Sequence, residues 1–136
     1  MLLDDVLDFL STGGLGLTSG TNLFAGTLPD SPDRCVVLYE TGGFFPIHAN
    51  ANAAAVVERP RVQVVTRAPS FQGARQLAHN VFRRLDSTRG ATINGVFYHW
   101  ISAVSSPAQM GDDGSGRPRV VCNFDIVKNL HTSTST

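Results

Sequence analysis

Residues 61–85 read RVQVVTRAPSFQGARQLAHNVFRRL, and the fold follows from how this stretch divides. In its first seven positions Val62 and Val64 alternate with Arg61, Gln63, Val65 and Arg67, the period of two that a strand imposes on its side chains. Pro69 ends that run, and Ser70 is suited to accept from the free N–H groups at the start of a helix. From there Ala74, Leu77, Ala78, Val81, Phe82 and Leu85 recur at helical spacing as one apolar stripe, while Arg75, His79, Arg83 and Asp86 lie off it. A strand followed by a helix over about 70–86 is the expectation.

Working outward, Asn94-Gly95 between the apolar runs 92–93 and 96–104 predicts a tight hairpin, since both residues tolerate the positive φ of its turn. A Gly- and Asp-rich loop is expected over 107–117, then a last strand over 120–127. Upstream, Leu3, Val6, Leu7 and Leu10 mark a short amphipathic helix over about 2–12, stopped by Gly13 and Gly14. A short strand over 22–25, a turn over 29–33 and an apolar strand over 35–40 follow. The stretch 41–58, with Gly42, Gly43, Phe44, Phe45, Pro46 and Ile47 and an Ala/Asn-rich run, reads as an irregular loop, with a helical turn over 53–57. The expected fold is α+β: a mixed, mainly antiparallel sheet, the long helix packed on one face, and the N-terminal helix or a neighbouring subunit on the other. Residues 1–128 form one domain, and 129–136 a mobile Ser/Thr-rich tail.

Charge narrows the function. Charged residues make up only 16% of the chain, below the quarter or so of an ordinary soluble domain, which points to a surface partly covered by partners. Eleven cations balance eleven acids, without the basic excess of a free nucleic-acid binder. Their placement is lopsided: residues 1–33 hold acids and no Lys or Arg, while 59–89 hold Arg59, Arg61, Arg67, Arg75, Arg83, Arg84 and Arg89 against Asp86. Cys35 and Cys122 sit in apolar strands and are expected to be buried free thiols in a reducing cytoplasm. No apolar run is long enough to span a membrane.

No chemistry-bearing pattern emerges. The glycines at 13, 14 and 16 follow no strand and precede no Gly-Lys-Ser/Thr, so helix termination explains them. His48, His79, His99 and His131 lack partners at metal-ligand spacing. Ser115 lies between glycines in a loop rather than at a strand-to-helix elbow, and Asp112-Asp113-Gly114 lacks the remaining acids of a calcium loop. The expectation is a protein with no catalytic residues, no metal and no cofactor.

Six segments, in order, carry a family likeness: DDVLDFL at 4–10, RVQVVTR at 61–67, SFQGARQLA at 70–78, Ile93-Asn94-Gly95, QMGDDGSGR at 109–117 and VCNFD at 121–125. Together they resemble the minor capsid and tail-completion proteins of long-tailed phages, the tail terminator group. The resemblance implies a virion protein of the tail and neck, assembled in the host cytoplasm. It implies a ring of such subunits, typically six, that ends the tail tube, stops its growth and meets the head connector or stopper, with DNA only passing through. The 49–57 run has no counterpart expected there. A cyclic ring needs two different patches per subunit, and the charge asymmetry offers them: Asp4, Asp5 and Asp8 against Arg59, Arg61, Arg75, Arg83 and Arg84 of the next copy. Gly42, Gly43, Phe44, Phe45, Pro46 and Ile47 would dock on the tail tube protein or the connector. The alternatives are a head-completion (stopper) protein of the same neck, and a small ligand-binding or hydrolytic α+β domain using His99 and Asp125.

Overall fold

The computed structural model describes residues 2–48 and 55–130. Within them the chain forms α1 (Leu2–Ser11), β1 (Leu23–Ala25), β2 (Cys35–His48), β3 (Ala55–Arg67), α2 (Phe71–Leu85), β4 (Thr88–Ile93), β5 (Val96–Ala103), β6 (Ala108–Asp112) and β7 (Pro118–Asn129). The fold is α+β, with seven strands in one mixed sheet of order β1-β2-β3-β7-β5-β4, and β6 also paired to β7. Among the named strands of the described residues β1 with β2 is parallel and the other pairings are antiparallel.

The periodic elements form as their spacing dictates. Ser70 caps α2, its Oγ accepting from Gly73 N at 3.1 Å. Ala74, Leu77, Ala78, Val81 and Leu85 are buried against the sheet. Thr66 ties helix to sheet, its hydroxyl donating to Ala74 O at 2.9 Å. Asn94 takes φ 51° and Gly95 φ 80°, which closes the β4–β5 hairpin.

Both helices lie on one side of the sheet. α2 packs on β3, β5 and β7, while α1 touches β1 and β2 towards one end of the sheet and β4 at the other. A sheet whose two ends reach one ten-residue helix is curled, so the helices fill its concave side. There Leu2, Val6, Leu10, Leu38, Val64, Leu77, Phe124 and Ile126 form the core. The expectation that the N-terminal helix or a neighbour covers the second face is therefore corrected in part: α1 shares the first face with α2. Among the described residues the convex face carries no helix.

Two expected loops are strands. Within the stretch 41–58, residues 41–48 and 55–58 form the far half of the paired β2 and β3, from Gly43↔Pro60 and Phe44↔Arg59 out to His48↔Ala55. Residues 55–57 are extended rather than a helical turn, and 49–54 lie outside the described residues. What looked like loop chemistry is bulge chemistry. The register shifts between Glu40 and Gly43, where Gly43 takes φ 129°. A Cβ on Gly43 would stand 2.2 Å from Arg59 O, so only glycine lets the strands cross there. Likewise 107–117 holds β6, which forms a hairpin with β7 around the turn at 113–117. β7 runs through Asn129, one residue past the expected domain end; Leu130 follows it exposed, and residues 131–136 of the expected tail lie outside the described residues.

Candidate assembly surfaces and the polar clusters beneath them

Polar residues gather in three clusters, each of which holds elements together. The first joins α1 to the β4–β5 hairpin. Asp5 is 1% exposed; Tyr98 Oη donates to its Oδ2 at 2.6 Å and Asn94 Nδ2 to its Oδ1 at 3.0 Å. The same Asn94 amide donates to Asp8 Oδ2 at 2.7 Å. Burial, and then the hydrogen bond to Asp5, push the Tyr98 hydroxyl well above the usual tyrosine range. Because the folded value is the higher one, this proton contributes stability below the ordinary tyrosine pKa of about 10 that is lost as pH rises towards the folded value. In a Tyr39→Phe background, Tyr98 phenolate absorbance is expected to appear only as far-UV circular dichroism is lost. A Tyr98 that titrates near pH ~10 in the folded chain would contradict this.

The second cluster is a clamp around Arg67, which is 1% exposed at the end of β3. Its guanidinium donates to Asp33 O (3.1 Å), Pro32 O (2.7 Å) and Asp30 O (3.4 Å), and meets Asp113 Oδ2 at 3.4 Å. Arg117 extends the clamp through ion pairs with Asp113 (2.9 Å), Asp33 (3.0 Å) and Asp30 (3.0 Å). Backbone N–H donation from Arg117, followed by that from Ser115, holds the Asp113 carboxyl below the usual carboxylate range. Two surface depressions are lined by members of this clamp, whose polar groups are already engaged. The third cluster is the pair of Lys128, 2% exposed, with Glu58 at 3.0 Å, which fastens the base of the hairpin arm to β7.

The residues singled out from sequence are thereby divided. Asp5 is interior, and Asp8 is exposed but bound to Asn94. Arg61 pairs with Asp125 at 2.7 Å. Arg84 donates to Phe9 O at 3.0 Å and stacks over the Phe9 ring at 3.7 Å, locking α1 to α2. A Cβ on Gly13 would meet Arg84 Nε at 2.6 Å, so that glycine is needed for the lock as much as for ending the helix. Asp4, Arg75 and Arg83 are exposed and make no ion pair among the described residues; Arg59 is half-buried. Gly42 and Gly43 lie exposed on β2, and the segment through Ile47 continues along that strand.

Sequence reasoning placed Asn94 in a turn and Asp113 in a loop but not as partners, and it passed over the roles of Tyr98, Arg117 and Lys128 and the outward exposure of the β5 aromatic residues. Phe97 and Trp100 are 36% and 44% exposed, although both lie in a strand. His99 stacks edge-on against Phe97 at 4.9 Å and reaches Asn129 Oδ1 at 2.8 Å, while the Arg89 guanidinium stands 6.0 Å from the Trp100 ring centre. A β-bulge between Tyr98 and Trp100 sets this arrangement. The only forewarning in the sequence was an aromatic run with no second apolar segment to cover it.

Cys35 and Cys122 are free and buried, and burial pushes the Cys122 thiol up to about 11, so neither is a poised nucleophile. Among the described residues no three His, Cys, Asp or Glu side chains are grouped to hold a metal, and no helix is long and apolar enough to cross a membrane. Polar clusters that fasten elements together thus lie beside apolar groups left on the outside.

The profile of the bacteriophage tail terminator protein family matches residues 9–130. The chain belongs to that family, and its role is structural, in the phage tail. No curated protein sequence matches it. Among solved structures, a chain from "Virion of native gene transfer agent (GTA) particle" superposes with TM-score 0.61 at 18% identity, covering 95% of each chain. A second solved chain superposes with TM-score 0.55 at 12% identity, covering 96% of this chain and 92% of its own. At these identities the two structures attest to the fold.

Proposed function

We propose that this protein forms a ring, of six subunits, at the head-proximal end of the tail tube, where it stops tube growth and joins the tail to the head connector. The family match over 9–130 carries this reading, and the low, lopsided charge favours it. The gene transfer agent relative, itself part of a virion, is in keeping with it. The ring closes head to tail, the acidic end of one subunit meeting an arginine-bearing surface of the next. The far half of the β2–β3 hairpin, with Gly42, Gly43, Phe44, Phe45, Pro46 and Ile47, reaches the tail tube protein or the connector. Assembly takes place in the host cytoplasm, and DNA only passes through the channel.

Electron microscopy of particles made without the protein tests the assignment. Overlong, unjoined tails are expected. Tails of normal length beside filled heads that leak DNA would instead make this the stopper of the same neck.

A further inference from the structure

The proposed ring needs a donor and an acceptor surface on different sides of the subunit, and the fold limits the choice. Arg84 locks α1 and α2 side by side on the concave side of the sheet. The acids of α1 and the arginines of α2 therefore belong to one layer and are poorly placed to meet in a head-to-tail contact. The outer side of α1 bears Asp4, Asp8 and Ser11, with Leu7 at its edge, half-buried against the core, because Leu2, Asp5, Val6 and Leu10 are turned inward.

The opposite, convex face offers the complement. On β7, Ile126 and Lys128 are buried on the helix side, so Val127 between them faces the other way, paired across the strands with Trp100. Trp100 is flanked by Arg89 on β4 and, past the bulge, by Phe97 and His99. The charges around this patch are not symmetric. Asp125 is matched by Arg61, whereas Arg89 has no acid among the described residues and donates only to its own strand's Thr88 O. An apolar sheet face with one uncompensated cation suits an acidic amphipathic helix.

We propose that the outer stripe of α1 docks on the convex face of the next copy in the ring, with Leu7 against Trp100 and Val127 and with Asp4 beside Arg89. This rests on the ring reading above and specifies its subunit contact. Burial of Trp100 supplies most of the attraction, since an indole at the centre of an interface contributes far more than an exposed ion pair. The Asp4–Arg89 pair sets which side of α1 faces in.

The test is the oligomeric state of the full chain, read by native mass spectrometry and by light scattering across a dilution series. Asp4→Arg and Arg89→Glu are each expected to raise the concentration needed for assembly ten-fold or more. The double variant, which restores opposite charges, should recover most of that loss. Trp100→Glu should leave folded monomers whose melting temperature stays within a few degrees of wild type, because the indole is already 44% exposed in the isolated subunit. Assembly of all three single variants at the wild-type concentration would overturn the contact. So would a Trp100→Glu chain that still forms rings but no longer joins tails, which would assign the patch to the tube or connector. A wild-type chain that stays monomeric at every concentration and on isolated tubes would defeat the ring itself, and this contact with it.

Discussion

Arg67→Leu is expected to lower the melting temperature by roughly 10–20 °C, the equivalent of about 3–5 kcal/mol for breaking a buried ion pair in a chain of this size. The loss is not mainly that of one attraction. Arg67 supplies donors to three backbone carbonyls, of Asp30, Pro32 and Asp33, and to the Asp113 carboxylate. A leucine leaves those acceptors facing an apolar side chain with little water to replace the guanidinium. Arg67→Lys should recover only part of the stability, because a single ammonium cannot reach four acceptors arranged around a planar fork. Thermal melts followed by circular dichroism decide the matter. An Arg67→Leu chain that melts within a few degrees of wild type would show that the loops at 30–33 and 113–117 hold themselves.

Gly43→Ala should act on assembly rather than on global stability. Its methyl group would collide with backbone, with Arg59 O at 2.2 Å and with Pro60 at 2.7 Å, at a φ of 129° that alanine avoids. Strain of about 1–3 kcal/mol at a single backbone position is typical, and no rotamer change relieves a clash with backbone. The least costly relief is to part β2 from β3 beyond Glu40↔Val62, where the register already shifts. Hydrogen exchange should therefore quicken in the far half of the hairpin while the melting temperature moves by only a few degrees. In phage complemented with this variant, joined particles should fall at least ten-fold if that hairpin docks on the tube or connector. Wild-type titre with a loosened hairpin would rule out the docking role.

How far the sequence could be read depended on whether the deciding interaction was local. α2 and the β4–β5 hairpin were legible because a stripe of period 3.6, a serine cap and Asn94-Gly95 are all signals within a few residues. The hairpin arm was not, since Gly42, Gly43 and Pro46 argue against a strand unless Arg59 and Pro60 are known to lie opposite. Asp5 was read as a surface charge for the same reason: its partners Asn94 and Tyr98 stand 89 and 93 residues away. Arg67 ends an alternating strand on the face opposite Val62 and Val64, and nothing local shows that two distant loops close over it. The convex patch was half legible. Its aromatic residues were visible in the run through Trp100, while the bulge that turns them outward depends on pairing with β7.

The place of α1 in the core also bears on the order in which the chain acquires structure. A ten-residue helix is marginal by itself, and α1 rests on β1 and β2 at one end and on β4 and the hairpin turn at the other. It cannot bury Asp5 until Tyr98 and Asn94 are in place, so α1 docks after the β4–β5 hairpin has formed. Until then its acidic side and its apolar side are both exposed. The surface proposed for the ring contact is therefore complete only once the sheet has formed.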